Sequence, residues 1–259
     1  MTDIVVSEMF YSLQGEGVHA GTPAVFLRLA GCNLVCGGRA NLRRDKEDME
    51  PLDDATWVCD TIDVWRSGDK YTPEELLTEW RQAGWLRHLD GEAHLIVTGG
   101  EPTIKRNQEA FIELYDELVN EWGINPYIEV ETNGTIVPRR EYFDRVNHFN
   151  ISLKLANSGM PEDERINDEA IEFYTLIHQA TQTGAKYKFV VSRWKDVREI
   201  SMLIDEYDIP RSMISLMPAG QTQEQLQKSY RTVAQICRDW NVDFSPRLHI
   251  DIWDQATGV

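Results

Sequence analysis

Three cysteines near the start of the chain are the residues whose type and spacing most directly suggest chemistry. Cys32 and Cys36 lie close together in "GCNLVC", and Cys59 follows only after the charged segment "RRDKEDMEPLDD". Three thiolates on a cubic iron–sulfur cluster leave one iron open for an exchangeable ligand, whereas closed structural metal sites use four ligands. Zinc is the alternative, with His19 or His249 as a fourth ligand. Because the cost of loop closure grows slowly with length, the insertion can still return Cys59 to the other two.

The fourth cysteine has a different context. Cys237 follows Leu226, Tyr230 and Val233 on the apolar face of the last long predicted helix. This pattern predicts a core residue. In a reducing compartment, four cysteines in a chain of this length are poor evidence for disulfides, so the clustered ones are better explained by metal binding or catalysis.

Other unusual residues follow predicted strands. Each of these motifs stands where an apolar strand ends: "GC" at 31–32, "TGGEP" at 98–102, "ETNG" at 131–134, "SLK" at 152–154 and "MPAG" at 217–220. In parallel α/β folds, active sites gather at the carboxyl ends of the strands. We therefore expect these motifs and the cysteines to share one rim.

Each of these motifs also has a simpler explanation. Gly99 and Gly100 lack a Cβ and allow close approach to the backbone, but glycines after a strand are often only a turn. Glu101 could bind an ammonium group or cap the following segment. Lys154 could receive a carboxylate or simply extend to solvent at the rim.

Two features near the N-terminus suggest a binding site. "FYSLQGEG" shows neither helical nor strand periodicity and is interpreted as a binding loop. Arg28 lies inside the apolar strand "AVFLRLAG", where an unpaired guanidinium would be costly, so it must have an anionic partner. Glu16 or another internal carboxylate is the simpler partner, and a substrate carboxylate is the sharper hypothesis.

The remaining chain alternates between predicted strands and helices. Strands are predicted at "PAVFLRLAG", "AHLIVTGG", "YIEVETNG", "NISLKLA", "KYKFVV", "MISLMPAG" and near 243–250. Helices are predicted at "YTPEELLTEWRQAGWL", at "NQEAFIELYDELVNEWG" and near 138–146, 167–183, 195–207 and 221–240. Six strand–helix units predict an α/β fold with parallel strands and outer helices. We expect an open, partial (β/α)6 barrel, with a flat doubly wound sheet as the alternative.

Composition limits the function classes. The chain has 259 residues, is 42% hydrophobic and carries a net charge of −17. The acidity argues against nucleic-acid binding, which needs clustered Lys and Arg, but not against a small anionic substrate in a local positive pocket. The sequence contains no membrane-spanning run and no signal peptide, which predicts a cytoplasmic protein. We expect one domain over 1–259, with 37–58 as an insertion in the cysteine loop.

Taken together, the motifs resemble a known family. The cysteine loop, "TGGEP" and "SLK" are similar to the radical S-adenosylmethionine (SAM) superfamily, and "SLQGEG", "FLRLAGC", "CDT" and "ETNG" resemble the 7-carboxy-7-deazaguanine synthases within it. The match covers nearly the whole chain. It implies a partial (β/α) barrel, usually in a homodimer, and an electron donor such as flavodoxin or ferredoxin.

The resemblance also implies the cofactors. Cys32, Cys36 and Cys59 would hold a [4Fe–4S] cluster whose open iron binds SAM, which is cleaved to a 5′-deoxyadenosyl radical. The residues at matching SAM positions are Gly99, Gly100, Glu101, Glu131, Ser152, Leu153, Lys154, Met217 and Pro218. Thr61, in "CDT", matches a magnesium ligand, and a hard cation accepts a hydroxyl oxygen together with substrate oxygens and waters.

The family's substrate is 6-carboxy-5,6,7,8-tetrahydropterin. Hydrogen abstraction at C6 starts a ring contraction with loss of ammonia, which gives 7-carboxy-7-deazaguanine for 7-deazapurine (queuosine-type) biosynthesis. The resemblance implies Leu13, Gln14, Gly15, Glu16, Arg28 and Thr98 as substrate-binding residues. The chain end "SPRLHIDIWDQATGV" differs from family members that end close to the substrate, and its His249 and Arg247 are further candidate substrate contacts.

One departure concerns the cysteine spacing. The superfamily commonly has three residues between the first two cysteines and two between the second and third, whereas twenty-two separate Cys36 from Cys59 here. Two other functions explain part of the pattern. A radical SAM activase of a glycyl-radical enzyme would share the cysteines and "TGGEP" but would not need "SLQGEG" or the "CDT" threonine. A non-catalytic zinc protein would explain the cysteines only.

Overall fold

The computed structural model describes residues 2–181, 184–254 and 256. Within them, one sheet contains nine strands: β1 Ile4–Leu13, β2 Pro23–Leu29, β3 Asp69–Tyr71, β4 His94–Gly99, β5 Ile128–Thr132, β6 His148–Ile151, β7 Ala185–Val191, β8 Ile214–Pro218 and β9 Asp243–Phe244. Their order is β3-β1-β2-β4-β5-β6-β7-β8-β9.

Six neighbouring strands form the parallel centre of this sheet. β2 and β4 to β8 pair in parallel, each with the next. The sheet is not closed, because β3 and β9 lie at its two edges. The loop after β1 nevertheless contacts side chains of both β5 and β7, through Gln14 and Glu16. At one edge, β9 also pairs in parallel with β8. The α/β architecture with parallel strands and outer helices is the predicted one.

Helices connect the parallel strands. The described ones are α1 Ile62–Trp65, α2 Pro73–Gln82, α3 Trp85–Leu89, α4 Lys105–Asn120, α5 Arg140–Phe143, α6 Glu162–Arg165, α7 Asp168–Thr181, α8 Trp194–Glu206, α9 Gln223–Trp240 and α10 Leu248–Trp253. α2 begins with a capping box, in which Thr72 accepts from the Glu75 amide and the Glu75 carboxylate accepts from the Thr72 amide. No described helix combines the length and the apolarity that a membrane crossing requires.

The two faces of the sheet differ in polarity. One face packs against the helices in the main core, which includes Leu27, Trp80 and Phe111. Cys237 is buried in this core, as predicted. On the other face, β2 and β4 contribute a small apolar group that includes Phe26 and Ile96. The charged strand residues Arg28, Glu129, Glu131 and Lys188 lie on that second face, in register with Ile96 and Thr98.

Two segments differ from the sequence-based expectation. Residues up to Leu13 of "FYSLQGEG" belong to β1, which pairs antiparallel with β2, and the loop begins only at Gln14. The prediction of a loop for the first part was wrong, because this strand is only partly buried and its apolar alternation is weak. The last predicted strand is confined to Asp243–Phe244, and Leu248–Trp253 is helical instead.

Candidate active site at the carboxyl ends of the strands

The three N-terminal cysteines lie together. Cys32, Cys36 and Cys59 belong to one packed group with Trp57 and neighbouring apolar residues. This group follows the end of β2, at the edge of the sheet where the parallel strands terminate. The structure therefore brings all three predicted ligands to one place and leaves Cys237 elsewhere.

The insertion between Cys36 and Cys59 folds back on itself. The Cys59 amide donates to the Cys36 carbonyl at 3.2 Å. Asn157, which lies outside the insertion, binds the segment that leads back to Cys59. Its backbone carbonyl accepts from the Thr56 amide at 2.9 Å, and its side-chain oxygen accepts from Trp57 Nε1 at 3.0 Å. These contacts explain how Cys59 reaches the site despite the long excursion.

The surroundings of the thiols favour their neutral form. Burial raises the pKa of Cys32 and of Cys36 to about 12, and it also raises the pKa of Cys59. Lys154 is the nearest cation to oppose this effect at Cys36. Metal binding at this site must therefore displace protons from the thiols.

The glycine pair of "TGGEP" packs against the start of the cysteine loop. The Gly100 amide donates to the Leu29 carbonyl and the Glu101 amide to the Gly31 carbonyl, both at 2.8 Å. A Cβ on Gly100 would lie 1.9 Å from the Gly31 oxygen. The glycine pair thus allows its own backbone to pack closely against the segment that leads into Cys32.

Glu101 links the ends of β4 and β5. It is fully buried, and its carboxylate accepts from the Thr103 amide and hydroxyl, the Thr132 hydroxyl at 2.6 Å and the Asn133 amide at 2.7 Å. Burial raises the pKa of Glu101 although these donors oppose the shift. The capping role considered for Glu101 is what the geometry shows, so contact with a ligand at this motif falls to backbone atoms.

The "SLK" motif lies next to the insertion. Lys154 Nζ donates to Ser152 Oγ at 2.8 Å and lies 5.9 Å from the centre of the Trp57 ring. Leu153 is buried in the core. Met217 and Pro218 are the last two residues of β8 and are both buried. The predicted SAM positions thus lie at the ends of β4, β5, β6 and β8.

A network of ion pairs lies near the same edge of the sheet. Glu16 pairs with Lys188 and, at 2.9 Å, with Arg247 Nε, and Arg247 Nη2 is 2.9 Å from Asp60. Burial alone would raise the pKa of Glu16, but the two adjacent cations hold it well below its ordinary value. Glu16 is therefore an ionised acceptor at neutral pH, and Asp60 connects "CDT" to the chain end.

The chain end packs on the predicted substrate loop. The Leu248 amide donates to the Gly15 carbonyl at 2.8 Å, and a Cβ on Gly15 would lie 2.2 Å from His249 Nδ1. His249 Nε2 is 4.0 Å from Glu16. Burial lowers the pKa of His249, so its imidazole is neutral at neutral pH. The structure places His249 and Arg247, the two candidate contacts of the chain end, beside the loop.

Arg28 has an internal partner. Its Nε lies 3.2 Å from Glu8 on the adjacent strand β1, and its guanidinium lies 5.7 Å from the centre of the Phe10 ring. The partner is therefore Glu8 and not Glu16. Arg28 Nε is buried without a hydrogen bond, so the contact with Glu8 is an ion pair, and the described residues give the guanidinium no second ion pair.

Three further predicted residues are connected by hydrogen bonds. Thr98 Oγ1 donates to Glu131 at 2.8 Å, and Gln14 Nε2 donates to Glu131 at 3.2 Å and to Glu129 at 3.1 Å. Leu13 ends β1 directly before this group.

Thr61 Oγ1 lies 3.4 Å from Cys59 Sγ, so the hydroxyl assigned to magnesium adjoins a candidate cysteine ligand.

Some residues of the site were not predicted from sequence. Lys188 is buried, like Arg28 a charged residue inside an apolar strand, and the same argument about unpaired charge could have identified it. Asn133 Nδ2 lies 4.0 Å from Cys32 Sγ and donates to Asn33 at 2.9 Å. Asn133 and Asp60 lie within the motifs "ETNG" and "CDT", but the sequence assigned neither side chain a role.

Comparison with known proteins agrees with this geometry. The 7-carboxy-7-deazaguanine synthase of Pyrobaculum aerophilum is 31% identical over 255 residues, which cover 98% of this chain and 96% of the relative. The chain belongs to the 7-carboxy-7-deazaguanine synthase family. The Halobacterium salinarum synthase is 29% identical over 269 residues, covering 97% of this chain and 91% of the relative. A search against protein-family models found no match.

The fold comparison agrees with the sequence comparison. The crystal structure of QueE from Escherichia coli superposes with a TM-score of 0.60 at 25% identity, over 94% of this chain and 93% of that one. Membership of this family places the chain in the radical SAM superfamily. The glycyl-radical activase and the zinc protein have no such support.

Proposed function

We propose that this protein is a radical SAM 7-carboxy-7-deazaguanine synthase, a lyase that converts 6-carboxy-5,6,7,8-tetrahydropterin to 7-carboxy-7-deazaguanine with loss of ammonia. The observation that carries the proposal is the convergence of Cys32, Cys36 and Cys59 beside the backbone of Gly100. Three thiols with no fourth cysteine nearby suit a [4Fe–4S] cluster with one open iron.

The protein groups around the cysteines fit the two cofactors. When bound, the cluster and SAM supply the electron and the radical chemistry that removes one hydrogen atom from the substrate. The Gly100 and Glu101 amides are already donated to Leu29 and Gly31, so the carbonyl oxygens of Gly99 and Gly100 are the polar groups that the motif offers to the SAM amino group. Lys154, held by Ser152, supplies a cation for the SAM carboxylate.

The charged residues near this edge of the sheet suit the polar groups of the pterin. The free fork of Arg28 provides two parallel donors for the substrate carboxylate. Ionised Glu16 provides an acceptor for the amino and ring N–H groups of the pterin, while Lys188 and Arg247 keep it charged. Neutral His249 lies beside it and can donate or accept a hydrogen bond.

Thr61 is the candidate magnesium ligand. Its hydroxyl adjoins Cys59, so it could offer an oxygen ligand to a magnesium ion that also binds the substrate. Thr61→Val removes the hydroxyl at constant volume, and Thr61→Ser keeps it. We expect magnesium stimulation of turnover to fall roughly tenfold or more in the first and to persist in the second. Equal stimulation in both variants would remove Thr61 from the magnesium site.

The family resemblance also suggests a cytoplasmic homodimer that receives electrons from a flavodoxin or ferredoxin and binds no nucleic acid directly. We further propose that residues 1–259 act as one domain, with 37–58 as an insertion that closes the cluster loop. Light scattering on the reconstituted protein would test the dimer.

The decisive experiment is an anaerobic incubation of reconstituted protein with dithionite, SAM, magnesium and carboxytetrahydropterin, followed by mass spectrometry. We expect 7-carboxy-7-deazaguanine from the wild type and from Cys237→Ala, because Cys237 lies in the core away from the site. We expect none from Cys59→Ala. SAM cleavage without this product would keep the radical class and refute the substrate. Failure to assemble a cluster or cleave SAM would favour the zinc alternative.

A further inference from the structure

A second group of metal-ligating side chains lies at the opposite end of the parallel strands. His94 is the first residue of β4, and Glu129 is the second residue of β5. His19 ends the short 3-10 turn Gly17–His19 that follows the predicted substrate loop. None of these three residues has a role in the chemistry proposed above.

The strand register places this group on the face of the sheet opposite the main core. Glu129 pairs with Ile96 on one side and with His148 on the other, and His94 pairs with Ala24. Side chains of paired residues project to the same face, and Ala24 and Ile96 belong to the small apolar group on that face. Thr98, at the other end of β4, is four residues further on, which is about 13 Å along a strand. The group is therefore distinct from the cysteine site.

The ligand atoms converge on one carboxylate. His19 Nδ1 lies 2.8 Å and His94 Nδ1 3.8 Å from Glu129 Oε2. One atom each from His19, His94 and Glu129 lie within 4.8 Å of one another. The Glu129 side chain is fully buried, and His94 is only 13% exposed. Such proximity of two imidazoles and a carboxylate is what a tetrahedral site with two histidines and one acid requires.

The imidazole rings are held in place by stacking. His94 stacks on Tyr127 with ring centres 4.3 Å apart, and His19 meets the edge of His94 at 5.0 Å. His19 also contacts the ring of His148 at 4.9 Å. The orientation of the ligands is thus set by packing rather than by the carboxylate alone.

An ordinary ion pair explains only part of this arrangement. His19 and Gln14 already satisfy the Glu129 carboxylate, one on each oxygen. His94 Nδ1 is buried, and its contact with Glu129 Oε2, at 3.8 Å, is too long for a good hydrogen bond. A buried nitrogen with so weak a contact is costly, and a cation bound between His94 and Glu129 would remove that cost.

We propose that His19, His94 and Glu129 bind a divalent first-row cation, Zn²⁺ in the first instance, at the amino-terminal end of the strands. Two imidazoles and a carboxylate form a donor set that suits Zn²⁺. The ion would tie the turn Gly17–His19 to β4 and β5, and through Glu129 it would fix Gln14. This site does not depend on the proposed reaction.

Zinc uptake by the holoprotein tests the proposal. Tag-free protein with its iron–sulfur cluster reconstituted, so that the cysteines are occupied, is dialysed anaerobically against Zn²⁺ and analysed by mass spectrometry for zinc per chain. We expect about one zinc in the wild type and an affinity at least roughly tenfold lower in His19→Ala, His94→Ala and Glu129→Gln. His178→Gln is the matched control, because His178 bonds to Ala185 and Ser212 outside the group.

Two readouts keep the proposal falsifiable if a strand variant folds poorly. His19 lies in a turn, so His19→Ala tests the site without altering a strand. Zinc-edge X-ray absorption separates nitrogen and oxygen ligands at about 2.0–2.1 Å from sulfur at about 2.3 Å. The proposal is overturned if the wild type takes up no zinc, if His19→Ala binds it as the control does, or if the ligands are sulfur.

Discussion

Replacing Gly100 with alanine is the sharpest test of how the glycine motif serves the cysteine loop. The new Cβ would lie 1.9 Å from the Gly31 carbonyl oxygen and 3.1 Å from the Cys32 nitrogen. Both neighbours are backbone atoms, so no side chain can rotate away. Ordinary contact begins at 3.4 Å, and the two segments must therefore separate by about 1.5 Å.

The cost follows from the contacts that this movement breaks. Overpacking of this kind costs about 1–3 kcal/mol. The hydrogen bond from the Glu101 amide to the Gly31 carbonyl would also be lost, for about 1 kcal/mol. We expect a loss of about 2–4 kcal/mol in the free energy of unfolding, measured by urea titration, with the fold retained.

The effect on the site should exceed the effect on stability. A shift of Gly31 displaces Cys32 relative to Cys36, and a misplacement of about 1 Å can reduce a rate about 100-fold. Iron and sulfide per chain and the rate of SAM cleavage measure this directly. We expect lower iron content and SAM cleavage slowed by roughly two orders of magnitude.

Gly123→Ala is the matched control. Gly123 has φ of +70°, but a Cβ there meets nothing within 4 Å. It should lose about 1–2 kcal/mol from backbone strain and keep its cluster. If Gly100→Ala assembled a full cluster and cleaved SAM within about twofold of the control, the assigned role of the glycine pair would be refuted.

Three further predictions test other contacts. In Glu16→Gln, Lys188 loses an ionised partner. Because folding lowers the pKa of Glu16, the stability that its carboxylate contributes is complete above pH 4.5 and is lost as the pH falls below that value. The difference in unfolding free energy between wild type and variant, measured by urea titration of cluster-free protein, should therefore shrink by about 1.4 kcal/mol per pH unit below pH 4.5, and a constant difference contradicts the pairing. Arg28→Lys keeps the positive charge but loses the planar guanidinium that can donate two parallel hydrogen bonds, so the KM for the pterin should rise about tenfold while the rate of SAM cleavage is unchanged. An unchanged KM would exclude the contact between Arg28 and the substrate carboxylate. Asn157→Ala removes the acceptor of Trp57 Nε1 and should lower both the unfolding free energy, by about 1–3 kcal/mol, and the iron per chain; full iron content would show that the insertion closes without it.

Much of the fold follows from local patterns in the chain. The alternation of apolar strands with amphipathic helices predicted six strand–helix units with parallel strands, because periodicity reports which face of an element is buried. The same order predicted that Cys32, Gly100, Lys154 and Met217 would lie at one edge, since parallel strands share the direction of their carboxyl ends. Cys237 was correctly placed in the core by its helical spacing.

Tertiary structure alone decided the partners of the charged groups. Arg28 required an anion, but that it is Glu8 depends on the antiparallel pairing of β1 with β2. Glu16 and Lys188 are 172 positions apart, and no local pattern connects them. Hydrophobic periodicity is a property of neighbouring residues, whereas an ion pair depends on where the whole chain returns.

The same limit applies to the second metal-ligating group and to the chain end. His19, His94 and Glu129 belong to a turn and two strands, and only the register of β4 and β5 brings them together. The helix at Leu248–Trp253 was missed because its packing on Gly15, and not its own short sequence, positions it. The sequence by itself thus determined the elements and the candidate cysteine ligands, and folding determined which distant charges and imidazoles meet, because only the assembled sheet sets those distances.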